Sequence, residues 1–168
     1  MAILKIVEYP EPILSKKCEQ VETIDQSIRT LAKDMAETMY DAPGVGLAAP
    51  QVGINKRLIV LDPNAGLKDQ PSLLLSLINP EIIASDGKVE SEEGCLSIPG
   101  LKETINRFEK ISVKALDLEG KEVKIEADNF LAIILQHEID HLNGILFIDH
   151  LSRLKQKIIK TQLKKNAS

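Results

Sequence analysis

Across residues 24–40 the apolar side chains fall at Ile24, Ile28, Leu31, Ala32, Met35 and Met39. Steps mostly of three and four predict an amphipathic helix, ended by the turn-forming run DAPG at 41–44. RLIVLD (57–62) and LLLSLIN (73–79) are short apolar runs that read as strands. KISVKALD (110–117) and KEVKIEAD (121–128) alternate apolar and polar residues around LEG (118–120), the pattern of an antiparallel hairpin. A second helix follows. Asp128 suits its N-cap and Gly144 its end, and residues 130–135 are apolar on every side, which predicts burial all round. A last amphipathic helix begins near Ser152. Strands clustered between helices, without regular βαβ alternation, predict an α+β fold. We expect antiparallel strands packed around a central buried helix, with further helices at the N-terminal and C-terminal ends. The 168 residues show no repeat and no low-complexity linker, and suit one domain.

Composition changes this picture in small ways. The chain is 43% hydrophobic but only 3% aromatic and has no Trp, so the core must be aliphatic. A net charge of −4 gives no general basic field, and direct DNA binding is not expected. The basic stretch RLKQKIIKTQLKK (153–165) is either a solvated helix face or a dock for an acidic or RNA-rich partner. Two cysteines make no disulfide framework. The N-terminus lacks a signal-peptide pattern, and no apolar run approaches the ~20 residues that span a bilayer. These features point to a cytoplasmic chain with reduced thiols and no membrane partner.

The candidate chemistry lies in QHEIDH (136–141). On a helix, His137 and His141 stand one above the other and can share a cation. Glu138, turned about 100° from His137, is poorly placed as a ligand but can reach water at the metal as a general base. Two imidazoles need a third donor. Cys95, in EEGCLSIPG (92–100), is the strongest candidate, with Gly94 permitting a tight backbone turn beside it. A thiolate and two imidazoles leave one tetrahedral position open, as in catalytic sites. Cys18 or His150 as a fourth ligand would instead close a structural site and leave Glu138 without a task. The open site is the reading we favour.

GVGLAA (44–49) matches a dinucleotide-binding fingerprint, with Asp62 downstream. However, it follows a helix rather than a strand, and Pro50 falls where the new helix would need its donors. The better reading is a loop whose bare backbone at Gly44 and Gly46 comes close to a ligand. Gln51 is then either an uncharged donor to an oxyanion or an amide that braces the loop. Ile133 and Ile134 share the face of His137. They either line an apolar slot or pack in the core. Asp140 and Arg107 are candidates to orient the ligating imidazoles.

Three blocks, GVGLAAPQ (44–51), EGCLS (93–97) and QHEIDH (136–141), together and in this order resemble the peptide deformylases. That family's pattern is a Gly-x-Gly-x-Ala-x-x-Gln loop, a Glu-Gly-Cys-x-Ser segment and a His-Glu-x-x-His helix. The resemblance implies an α+β unit that removes the formyl group from N-formylmethionyl nascent peptides. It implies Cys95, His137 and His141 as metal ligands and Glu138 as the base. Gln51 and the Leu96 backbone N–H would hold the oxyanion, and the Gly46 carbonyl would accept from the substrate backbone. The methionine slot would be lined by Ile133 and Ile134. Fe(II) is the ion typical of the family, with Zn(II), Ni(II) or Co(II) also able to occupy such a site. The remaining expectations are a ribosome contact through the C-terminal basic helix and a bacterial-type cytoplasmic setting, the alternative being an organelle. The competing enzyme class is a zinc endopeptidase, which shares the helix motif but not Cys95.

Overall fold

A computed structural model describes residues 2–167. The elements are α1 (Gln26–Asp41), β1 (Gly46–Ala48), β2 (Leu58–Leu61), β3 (Leu75–Asp86), β4 (Val89–Cys95), β5 (Ile98–Arg107), β6 (Lys110–Leu116), β7 (Glu122–Asp128), α2 (Asn129–Leu142) and α3 (Arg153–Ala167), with short 3-10 turns between them. The architecture is α+β with antiparallel sheets. One sheet runs β1-β2-β3-β6-β7, and β4 and β5 form a separate two-stranded hairpin.

The five-stranded sheet is sandwiched at its β1–β2 end, and β2 shows why. All four of its residues are buried. Ile59 and Leu61 pack with Ala132, Leu135, Ile139 and Leu142 of α2. Leu58 and Val60 point the other way, to Ile28, Ala32, Met35 and Met39 of α1. A strand covered on both faces needs no alternation, which is why RLIVLD reads as a continuous apolar run. A third apolar cluster joins Ile98 and Ile105 of β5 to Phe147, Ile148 and Ile159, tying the hairpin to the segment after α2 and to α3.

Local signals explain most boundaries. The Asp25 side chain caps α1, accepting from the Ile28 N–H at 3.2 Å. At the β6–β7 turn the Asp117 carboxylate accepts from the Glu119 and Lys121 N–H groups, and Gly120 has φ +81°.

Several expectations need correction. The GVGLAA loop contains strand β1, paired antiparallel to β2. Strand β3 runs past residue 79 to Asp86. Asn79 takes φ +52° beside Pro80, and two register irregularities carry the strand on. The tight backbone turn expected at Gly94 is not there: residues 92–100 are largely strand, Gly94 lies inside β4 and the turn falls at Leu96–Ser97. Gly94 instead permits a close approach, since a Cβ there would sit 3.2 Å from the Leu101 carbonyl oxygen. Asp128 occupies the N-cap position of α2, but its side chain makes no capping bond. Burial all round α2 fails at its start, where Phe130 is 50% exposed. The apolar excess there faces an open cleft rather than a second core layer.

Gly144 ends α2 with φ +74°, and a Cβ on it would lie 2.6 Å from the Ser15 backbone. Gly144→Ala should therefore cost about 1–3 kcal/mol from strain and steric displacement of the N-terminal segment. Chemical denaturation would measure this, and an unchanged midpoint would remove the close-approach argument.

Candidate metal centre

Helix α2 presents one face to the sheet through Ala132, Leu135, Ile139 and Leu142. The neighbouring face carries Ile133, Ile134, His137 and Glu138 into a cleft of about 890 Å³. Its other walls come from β1 and the loop before it (Gly44, Gly46), from Gln51, and from the β4–β5 hairpin (Cys95, Leu96). Three separate stretches of sequence thus converge on one space.

Among the described residues, Cys95, His137 and His141 form one cluster, each offering a ligand atom within 4.8 Å of the others. Cys95 Sγ lies 3.3 Å from His141 Nε2. Metal–sulfur and metal–nitrogen bonds of about 2.3 and 2.0–2.1 Å at a tetrahedral angle put two such atoms roughly 3.5 Å apart. The pair therefore already has the separation of two ligands on one ion. His137 Nδ1 is 2.9 Å from Glu93 Oε1, which orients Nε2 as the free ligand atom. Neither proposed fourth ligand joins this set. Cys18 is packed in the aliphatic core, and His150 Nε2 lies 2.8 Å from Asp140 Oδ2.

Charge at the site is arranged for a cation. Burial works against a protonated His137, but hydrogen bonds to Cys95 and Glu93 outweigh it and hold its pKa well above the usual value. Burial, reinforced by His137, holds His141 well below, so its lone pair is available. Burial pushes Glu138 up to about 7, against the pull of His137. Two buried atoms are left without a protein partner, Glu138 Oε1 and His141 Nδ1. A buried carboxylate oxygen without a donor is costly. Here it borders the cleft, beside the triad. These features fit a divalent ion held by Cys95, His137 and His141.

Gly46 meets Glu138 from the opposite wall. A Cβ at Gly46 would fall 2.5 Å from Glu138 Oε2. Gln51 Oε1 accepts from the Ala48 N–H at 3.0 Å, which turns Nε2 toward Cys95 Sγ (3.4 Å) and Ser97 Oγ (3.2 Å). Leu96 begins the tight turn after Cys95 and lines the cleft. Ile133 and Ile134 both border it, although Ile134 also belongs to the core behind.

Two further residues at the site carried no expected role. Glu93 accepts a bidentate pair from Arg107 (2.8 and 2.7 Å) as well as contacting His137. Ser97 is fully buried beside Gln51. The usable signal was strand spacing. Glu93 is two residues before Cys95 and, on a strand, shares its face; expecting a turn at Gly94 hid it. Arg107 reaches the imidazole through Glu93. Asp140 does not orient the ligating imidazoles directly, because its carboxylate is taken by Arg107 (2.7 Å) and His150.

The chain matches the family described as polypeptide deformylase over residues 3–157. It is 51% identical over 164 residues to a peptide deformylase of Thermodesulfovibrio yellowstonii, covering 98% of each chain. A second, from Symbiobacterium thermophilum, is 56% identical over 92% of this chain and 70% of its own. Among solved structures, a peptide deformylase from Legionella pneumophila superposes with a TM-score of 0.89 at 49% identity, over 99% of this chain and 96% of that one. The Ehrlichia chaffeensis peptide deformylase in complex with actinonin gives 0.91 at 43%, over 99% and 98%.

Burial raises the Glu93 carboxyl, but hydrogen bonds from Arg107 and His137 outweigh it and bring the pKa to about 2. Its stabilising contribution is complete above the ordinary carboxylate value and is lost as pH falls through about 2. Metal-free wild type should therefore lose roughly 3 kcal/mol more than Glu93→Gln between about pH 5 and pH 2. The same variant should weaken metal binding by about 10–100-fold. Parallel acid-denaturation curves and equal metal affinities would dismiss both expectations.

Proposed function

The chain belongs to the polypeptide deformylase family, and from that premise we propose that it hydrolyses the formyl amide of N-formylmethionyl nascent peptides, releasing formate and a free amine. The observation that carries this reading is the meeting of the Cys95–His137–His141 set with a buried, unpartnered Glu138 oxygen beside one peptide-sized cleft. The family is one of metal-dependent hydrolases. The ion we propose for Cys95, His137 and His141 is Fe(II), with Zn(II), Ni(II) or Co(II) able to substitute. When bound, it supplies the Lewis acidity that makes water nucleophilic near neutral pH.

The protein's own groups do the rest. Glu138 Oε1 accepts a proton from the attacking water as its oxygen adds to the formyl carbon. The C–N bond then breaks, and Glu138 returns the proton to the leaving nitrogen. Gln51 Nε2 and the Leu96 N–H donate to the formyl oxygen as it gains charge. Gly46 suits substrate docking for a reason of strand geometry. The Val45 carbonyl accepts from the Asp62 N–H, so in an antiparallel pair the polar groups of Val45 and Leu47 face β2 while those of Gly46 face the outer edge. β1 is the end strand of its sheet, and a peptide laid along it can pair with the Gly46 carbonyl. Ile133 and Ile134, with Phe130, offer the apolar slot for methionine.

Among the described residues no fourth donor joins Cys95, His137 and His141, which favours catalysis over a metal-stapled binding module. Cys95 in place of a carboxylate or histidine argues against an endopeptidase. Among the described residues no helix is long and apolar enough to cross a membrane, and we place the reaction in the cytoplasm. A transient ribosome contact through α3 belongs to the same reading. Two of its lysines are engaged within the protein, Lys155 with Glu103 and Lys160 with Asp149.

Glu138→Gln should fold, bind metal and lose about 10²-fold or more in kcat on a formyl-Met peptide. Gly46→Ala, which drives a methyl into that carboxylate, should also lower kcat. Formate release and metal content measure both effects. Full turnover by Glu138→Gln would exclude it as the base, and cleavage of an internal peptide bond with the formyl group spared would reject the reading.

A further inference from the structure

An amide that stabilises an oxyanion is useful only if it is already aimed. Gln51 has three rotatable side-chain bonds and, left alone, would sample many positions. Its Oε1 is fixed by the Ala48 N–H at 3.0 Å, but a single bond leaves the amide plane free to swing about it. The second restraint is Ser97, whose Oγ accepts from Gln51 Nε2 at 3.2 Å. From the geometry we infer that Ser97 is a positioning residue, holding the Gln51 amide plane so that its remaining hydrogen points into the cleft. This inference rests on the deformylase reading and deepens it.

Ser97 is itself firmly held. It is 0% exposed. Its N–H is 3.4 Å from Cys95 Sγ, and its carbonyl accepts from the Tyr9 N–H at 2.9 Å. Two residues earlier, the Val7 N–H donates to the Gln51 carbonyl at 2.8 Å. Alternate residues of one N-terminal segment therefore bind the backbones of both partners and set their separation from behind. The hydroxyl completes the clamp from the side. It is buried, so water does not replace it cheaply. The other Gln51 hydrogen is directed at Cys95 Sγ at 3.4 Å, an ordinary N–H···S distance, and a developing negative oxygen beside that sulfur would compete for it as the stronger acceptor.

The test is a double-mutant cycle in the Zn(II)-loaded enzyme, following formate release from a formyl-Met peptide together with metal content and melting temperature. Ser97→Ala should lower kcat by about tenfold, a fraction of the loss from removing an oxyanion donor outright. KM and bound metal should stay within about twofold of wild type. In the Gln51→Ala background the same change should cost almost nothing. Ser97→Thr, which keeps the hydroxyl, should restore most of the rate. Equal losses in both backgrounds, an unchanged kcat, or loss of metal (which would place the effect on Cys95) each overturn the inference. Should Ser97→Ala not fold, the wild-type Gln51 side-chain amide decides the matter by ¹⁵N NMR. Slow hydrogen exchange and a displaced resonance support the clamp, and a fast-exchanging, free-amide signal overturns it. Wild type that releases no formate defeats the deformylase reading, while the NMR result still reports whether Gln51 is held.

Discussion

The ion pair between Glu93 and Arg107 is the contact on which the site depends. Both side chains are almost wholly buried and meet at 2.7 Å. They sit on the two strands of the β4–β5 hairpin, which shares no ladder with the five-stranded sheet. Something must therefore hold that hairpin at a fixed distance from α2, or Cys95 would not face the histidines. The pair does so through its spare valences. Glu93 Oε1 contacts His137, and Arg107 Nη1 donates to Asp140, both on α2. A buried pair with every polar atom satisfied is nearly neutral for stability, while removing one partner costs about 3–5 kcal/mol. Its value here lies in registration: it locks the element that brings sulfur to the element that brings imidazole.

The same network explains the uneven charge along one turn of α2. His137, anchored to a carboxylate that stays ionised, favours positive charge; His141, buried and without such a carboxylate, rejects it. A proton can satisfy only part of this arrangement. A dication held, as proposed, by Cys95, His137 and His141 would satisfy more of it, and its field would also draw the Glu138 carboxyl down from its raised value. The helix thus holds, in Glu138, a buried carboxyl whose affinity for protons follows from burial, beside a cluster whose proposed occupant would offset that burial.

The sequence made these chemical residues legible because each needed a specific side chain at a specific spacing. His137 and His141 follow helix periodicity, and β2 and the β6–β7 hairpin follow the apolar pattern. The β4–β5 hairpin was not legible. Its strands alternate weakly, and Glu92, Glu93 and Gly94 suggest a loop. Their role is set by Arg107, fourteen residues away from Glu93 and joined to it only once the strands pair. Ser97 was hidden for a related reason. A serine two residues after Cys95, the proposed metal ligand, carries no periodic signal, and its partner Gln51 is 46 positions distant. The buried start expected for α2 failed differently. Apolar periodicity reports what avoids water, and a cleft shaped for an apolar ligand selects the same residues as a core.

An exposed sheet edge invites unwanted pairing with other chains. β1 is such an edge, yet it is only three residues long, Leu47 and Ala48 are buried, and Pro50 follows closely. The Ala48 N–H, which would otherwise face outward, is taken by Gln51. What remains is the backbone at Gly46, where the absence of a side chain also leaves room for Glu138. So short an edge offers little to another protein's strand, and under the proposed function it would pair with the free end of an extended peptide instead. The restriction that protects the edge from aggregation would then also favour a chain terminus as the bound peptide. That terminus would lie in the cleft that Gly46 shares with Glu138, Cys95 and His137.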